Sequence, residues 1–337
     1  MASNAPGNDD TRTLHWAHGR AELQRLGGML GPVSFKAAGR ADFQPLHVAP
    51  WADEPGAAGL PGILRRLRGE WPCVPFGRVE APRAWPPGWQ PKMPDDGWGH
   101  GYASHHDWDW IASGDPLALA MGIRYPEDSP ITGLERRVAA VPGSPALEIT
   151  LRVDARRPCL LPIALHPTLR LDLGRVELRL PHRGDGFTYP VDVAPDESRA
   201  LPGQRFATPR RVPAVDGREL DLTRYPQDQD SEELVQVMDV DGPVTAHYLD
   251  RRWSLEIDWD RALLPDVMLW VSHRGRSHAP WNGRHLALGV EPVNGVFDLG
   301  RLACVPPTHP LARKQGVRIE PGHPLVVRYA LRALPED

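Results

Sequence analysis

Apolar residues in this chain recur at every second position, and almost no long stretch carries a helical period, so the chain reads as β-strands with one apolar face each. In 146–153, Leu147, Ile149, Leu151 and Val153 alternate with Glu148, Thr150 and Arg152. In 175–180, Val176, Leu178 and Leu180 share a face. In 253–259, Trp253, Leu255, Ile257 and Trp259 alternate with Ser254, Glu256 and Asp258, and 324–331 is a further strand candidate. Only 20–26 and 60–67 suggest short helices. Turn signals such as Gly184-Asp185-Gly186, Asp216-Gly217 and Asp241-Gly242 punctuate these runs. The 32 glycines and 38 prolines among 337 residues suit many short strands, and stay below the roughly 25–30% that marks disorder. The expected fold is all-β: a large antiparallel β-sandwich with few short helices. Residues 1–12 read as a disordered tail and 13–337 as a single domain, with no internal repeat and no linker rich enough to divide it.

Charge excludes several partner classes. With 39 Lys and Arg against 43 Asp and Glu, the net charge is -4 and no block of like charge stands out, so neither nucleic acid nor a membrane is the expected partner. No apolar run approaches the ~18 residues of a membrane span. The first ten residues are polar and acidic, unlike a signal peptide. Cys73, Cys159 and Cys304 are odd in number and form no ligand cluster, which suggests buried thiols, a reducing compartment and a cytoplasmic location. Twelve tryptophans against six phenylalanines is an unusual balance, and an indole offers a flat apolar face and one N–H donor, which suit a pyranose.

Four segments could carry chemistry. On a strand through 285–292, Leu286, Leu288 and Val290 share one face, while Ala287, Gly289 and Glu291 share the other. Small residues leading to a carboxylate leave the open floor that a ligand requires; taken alone, Glu291 is equally a solvent-exposed side chain at a strand end. In 160–171, Leu161, Ile163, Leu165, Leu169 and Leu171 oppose Ala164, His166, Thr168 and Arg170. His166 thus faces away from the apolar layer beside a small residue, or is a hydrogen-bonded surface imidazole. In 100–108, three His and an Asp invite a metal reading. Neighbours on a strand point opposite ways, however, so His105 and His106 would not share an ion and no metal site is expected. In 67–77, Arg68 precedes an apolar, proline-interrupted strand; it reaches into a pocket or lies on the surface. No GxSxG elbow and no glycine-rich phosphate loop is present. The long irregular stretch 80–99, with Trp85, Trp89 and Trp98, has the length of a functional loop.

In order, these segments resemble the galactose mutarotase-like superfamily, which includes aldose 1-epimerases and hexose-6-phosphate epimerases. Arg68-Gly69 through Pro75-Phe76-Gly77 resembles the RGG-x-P-x-x-x-P-x-FG stretch of the hexose-phosphate branch, and His100-Gly101-Tyr102-Ala103 with Trp108 resembles its HGFAR-x-x-x-W. Leu165-His166-Pro167 is similar to the segment carrying the family's catalytic His, and Val290-Glu291-Pro292 to that carrying its catalytic Glu. Arg318-Ile319-Glu320-Pro321-Gly322 resembles the closing PG turn. The matches span roughly residues 20–335. Glu70 stands where the family has a second Gly, Ser104 where it has an Arg linked to the phosphate-binding branch, and Thr168 where it has an aromatic.

The resemblance implies a supersandwich fold and interconversion of the α and β anomers of an aldose, or of a sugar phosphate, by acid–base ring opening. Glu291 would be the base at O1 and His166 the acid at the ring oxygen O5, with His100, Arg68 and Trp270 as substrate-binding residues. That chemistry needs no metal or nucleotide; the implied ligand is a small carbohydrate and the implied assembly a monomer or homodimer. The departures at Glu70, Ser104 and Thr168 motivate a second reading, a non-catalytic carbohydrate-binding or sensing protein on the same fold. A polysaccharide lyase or hydrolase is a third.

Overall fold

Residues 10–94, 96–194 and 197–336 are described by a computed structural model. Strand makes up about 44% of it and helix about 6%, and two large sheets take most of that strand. All strand pairing within named elements is antiparallel. The nine-stranded sheet runs Arg224–Tyr225, Val176–Arg179, Val244–Tyr248, Trp253–Trp259, Leu325–Pro335, Ala146–Ala155, Ile131–Ala140, Ala118–Arg124, Asp109–Ile111. The eight-stranded sheet has Ser231–Val237, Asp266–His273 and Leu286–Asn294 at its centre, with Ile163–Leu165 and Thr168–Arg170 both lying against Leu286–Asn294.

Side-chain alternation explains why the sheets stack. Leu147, Ile149, Leu151 and Val153 of one sheet meet Val267, Leu269, Val271, Leu288 and Val290 of the other in one core. On the outer face of the nine-stranded sheet the alternate residues are polar or charged, and Arg332 there bridges Glu256 at 2.8 Å and Asp258 at 3.2 Å. The eight-stranded sheet is covered on both faces. Its second face, carrying Ala164, Leu234, Met268 and Trp270, packs beneath loop residues Trp51, Trp71, Phe76 and Trp281 in a separate apolar cluster. Between the sheets a buried ion pair joins Glu70 to Arg136, and Tyr329 Oη donates to Glu70 at 2.7 Å.

Three local expectations change. Residues 20–26 are rich in helix formers, yet Gly19–Gln24 is a strand between Thr11–Trp16 and Leu30–Phe35. Ala21 and Leu23 are buried while Arg20 is exposed, so burial at period two overrides intrinsic propensity. Of the expected tail, residues 1–9 lie outside the described residues, and Thr11 and Arg12 already pair in the first strand. Of the thiols only Cys73 is buried; Cys159 is half-buried and Cys304 exposed. A single short α-helix, Gly62–Arg65, lies within the 60–67 stretch. Among the described residues no helix is long and apolar enough to cross a membrane.

Candidate active site

The second face of the eight-stranded sheet brings His166 and Glu291 together. Registers across its central strands set three rows: Glu232, Ser272 and Ala287; Leu234, Trp270 and Gly289; Gln236, Met268 and Glu291. Thr168 pairs with Gly289 from the other side. His166 sits at the break between Ile163–Leu165 and Thr168–Arg170, where its N–H donates to the Trp71 carbonyl at 2.9 Å. From there its Nε2 lies 3.4 Å from Glu291 Oε1, with the two residues 5% and 1% exposed. A Cβ on residue 289 would stand 2.5 Å from Glu291 Oε1 and 3.1 Å from the Trp270 Cβ, so glycine leaves the room in which the carboxylate turns toward His166.

Aromatic rings wall this pair. Trp71 stacks on the His166 ring at 4.1 Å and 16°, and Trp270 meets it edge-on at 5.8 Å. His100 approaches His166 at 5.7 Å and 75°. His100 has a left-handed backbone (φ 59) and donates its N–H to the Gly77 carbonyl at 2.7 Å. Gly101 follows at φ 87, and a Cβ there would collide with the Val74 carbonyl, so the His-Gly turn admits no larger second residue. Ser104 Oγ donates to the His100 carbonyl at 2.8 Å, which ties down the turn that delivers the imidazole. The segment is a 3₁₀ turn rather than a strand; His105 and His106 bond the Gly99 and Tyr102 carbonyls through their rings. Among the described residues no three His, Cys, Asp or Glu side chains are grouped to hold a metal ion.

Trp270 Nε1 donates to Glu232 Oε1 at 2.6 Å, and Arg276 pairs with the same oxygen at 2.9 Å while lying 4.5 Å above the Trp281 ring. His285 joins this group, 5.5 Å from Trp270 and 4.7 Å from Trp281. Arg68 does not. Its guanidinium bonds the Arg66 carbonyl at 3.1 Å and Asp53 at 3.3 Å, neither of them a neighbour of the His166–Glu291 pair. Gly69 takes a left-handed backbone (φ 59) and Glu70 turns inward to Arg136, so the chain around Arg68 follows the inter-sheet ion pair.

Burial dominates the electrostatics. It pushes the Glu291 carboxyl well above the usual Glu value, with the charge of Asp298 adding to the effect. It drives His166 well below 6.5, with His100 contributing, and His100 itself down to about 3. Burial therefore favours the neutral form of both members of the pair. Thr168 Oγ1 lies 3.2 Å from His166 Nδ1 and donates weakly to the His166 carbonyl at 3.5 Å. A hydroxyl that donates there accepts from Nδ1–H, which turns the lone pair of Nε2 toward Glu291. Glu291 Oε2, His100 Nδ1 and His285 Nε2 are buried with no hydrogen-bond partner among the described residues. Buried polar atoms of this kind require a ligand or water.

No protein-family model matches this chain, and no curated protein matches it. Solved structures match along its whole length. The Slr1438 protein from Synechocystis sp. PCC 6803 superposes with a TM-score of 0.65 at 15% identity, covering 100% of this chain and 99% of its own. A galactose mutarotase-like protein from Lactobacillus casei ATCC 334 gives 0.60 at 13%, covering 96% and 100%. The fold is that of the galactose mutarotase-like structures. A GalM/aldose epimerase homologue from C. elegans agrees, at 0.61 and 13% with 97% and 100% covered. Within this mutarotase-like frame, the pair and the His100 and Trp270 rings converge on one place, while Arg68 stands apart. Several site residues had no such signal in sequence. His285 could have been found, because it extends the Ala287, Gly289, Glu291 parity by one step. Trp71, Glu232, Arg276 and Asp298 lie in segments with no readable alternation.

Proposed function

We propose that this protein is an aldose 1-epimerase-type enzyme acting on a small neutral sugar. The observation that carries the reading is the buried carboxyl and imidazole at 3.4 Å, enclosed by Trp71, Trp270 and His100, with Glu291 Oε2 unpartnered. Mutarotation opens the hemiacetal, lets C1 rotate and recloses the ring. Glu291 as carboxylate takes the O1 proton while protonated His166 gives its proton to O5, breaking C1–O5 and leaving a free aldehyde. On reclosure the carboxyl returns its proton to O1 and the imidazole accepts the one from the C5 hydroxyl. The ionic and neutral forms of the pair hold the same single proton, so substrate hydroxyls need only shift it between the two groups. Each proton transfer contributes ~10²–10⁴-fold.

Two further features support the reading. The three departures from the family pattern have local roles: Glu70 pairs with Arg136, Ser104 bonds the His100 carbonyl and Thr168 orients His166. Two of the cations that act on site groups are ion-paired, Arg276 with Glu232 and Arg301 with Asp96 at 2.7 Å, and Arg78 feels the charge of Asp298. A phosphate would find none of the three unopposed, which favours an uncharged aldose. The test is NMR exchange between anomers of free hexoses, free pentoses and their phosphates. Faster exchange for at least one free aldose is expected. Acceleration of none would overturn the proposal, and acceleration of phosphates alone would overturn its neutral-substrate part.

A further inference from the structure

We propose that Asp298 is a sugar-hydroxyl acceptor and a specificity-determining residue at this site; the inference rests on the carbohydrate reading above. Asp298 follows Glu291 by seven positions, and the chain between them turns back on itself. The turn passes through Phe297, whose left-handed backbone (φ 47) is rare for a bulky side chain. Gln236 holds it there. Its Oε1 accepts the Phe297 N–H at 2.6 Å, and its Nε2 donates to Asp266 at 2.9 Å and to the Gly295 carbonyl at 3.0 Å. Gln236 is fully buried and lies in the same register row as Glu291, with Met268 between them. Such a strained residue persists only where its surroundings over-determine it.

The same turn is tied to His100. The Asp298 carbonyl accepts from the Arg78 N–H at 2.8 Å, a Cβ on Gly77 would come within 2.6 Å of that oxygen, and the Gly77 carbonyl receives His100. One two-residue segment therefore places Asp298 and His100 together. Asp298 Oδ1 accepts from Tyr189 Oη at 2.6 Å. Among the described residues no arginine makes an ion pair with the half-buried carboxylate, although the charges of Arg78 and Arg276 both act on it. It also acts on Glu291. A carboxylate with one oxygen bonded by tyrosine, tied through Gly77–Arg78 to the backbone of His100 and close enough for its charge to act on Glu291, is placed to accept from ring hydroxyls. Burial raises its proton affinity while the charges of Arg78 and Arg276 oppose that rise, and as a carboxylate it accepts from a polyol donor and repels an anion.

The test measures anomer exchange for an aldose that the wild type accelerates, with Asp298→Asn, Asp298→Ala and Tyr189→Phe, and with a panel of monodeoxy sugars. Losing a charge-assisted hydrogen bond should raise KM by ~10- to 100-fold in Asp298→Ala, well beyond any fall in kcat. One deoxy sugar should lose the same factor with wild type and nothing further with Asp298→Ala. Tryptophan-fluorescence titration with the same sugars reads binding independently of turnover. An unchanged KM, or equal losses for every deoxy sugar in wild type and variant, would overturn the proposal. If wild type binds a sugar through Asp298 but accelerates no exchange, the epimerase reading falls and this one stands.

Discussion

Replacing Glu291 by Gln should abolish exchange and stabilise the fold at the same time. Gln keeps the shape of the side chain in a site where the residue is 1% exposed, but it cannot take the O1 proton. Loss of one acid–base group lowers kcat by ~10²–10⁴-fold, about 3–5 kcal/mol of barrier. The stability effect follows from the raised proton affinity of Glu291. A carboxyl that holds its proton more tightly when folded binds more protons in the native than in the unfolded state above pH 4.5. Wild-type stability therefore falls as pH rises from 4.5 to the folded-state pKa, by about 1.4 kcal/mol per pH unit from this group. Gln removes that slope. Urea midpoints for both proteins at pH 5, 6, 7 and 8 should show a gap in favour of Glu291→Gln that widens with pH and then levels off. A constant gap, or one that favours wild type at pH 8, would refute the burial argument; exchange within a few-fold of wild type would refute the chemical one.

Thr168→Val leaves His166 Nδ1 without its partner at 3.2 Å, so kcat should fall ~10-fold or more, with Thr168→Ser restoring it and ¹⁵N NMR showing a change of His166 tautomer only in the Val variant. Gly289→Ala puts a methyl 2.5 Å from Glu291 Oε1; exchange should drop more than ~10-fold while stability, read by urea denaturation, falls by only ~1–3 kcal/mol. Glu70→Gln breaks the buried pair with Arg136 and should lower stability by ~3–5 kcal/mol, whereas the double change Glu70→Met with Arg136→Met should recover most of it. If the double variant were no more stable than the single one, the ion pair would not be the cause.

Which parts of this architecture are legible in the sequence depends on how many faces of a strand are wet. Trp253–Trp259 and Ala146–Ala155 show alternation because one side meets the core and the other meets water. Ser231–Val237 and Asp266–His273 are buried at every position, so polar and apolar residues lose their alternation and Glu232 and Gln236 read like surface groups. The 285–291 run is the informative exception. It is covered on both faces too, yet Gly289 stays small because the Glu291 carboxylate and Trp270 occupy the space above it. Arg68 misled for a different reason. The family-like Arg-Gly spacing is present, but the direction of a side chain next to a left-handed glycine is set by where Glu70 finds its partner, far along the chain in Arg136.

That partner choice bears on how the site is held. Glu70, Ser104 and Thr168 depart from the motifs that the sequence resembles, and they bond to Arg136, to the His100 carbonyl and to the His166 ring in turn. Glu70 ties the segment before Trp71 to the second sheet, and Trp71 both stacks on the His166 ring and accepts its backbone N–H. Ser104 Oγ donates to the His100 carbonyl, and Thr168 Oγ1 lies 3.2 Å from His166 Nδ1. Glu291, His166 and His285 are buried and His100 is half-buried, all are perturbed by burial, and Glu291 Oε2, His100 Nδ1 and His285 Nε2 have no hydrogen-bond partner among the described residues. Perturbed groups grouped around unsatisfied atoms are what a ligand-binding acid–base site requires.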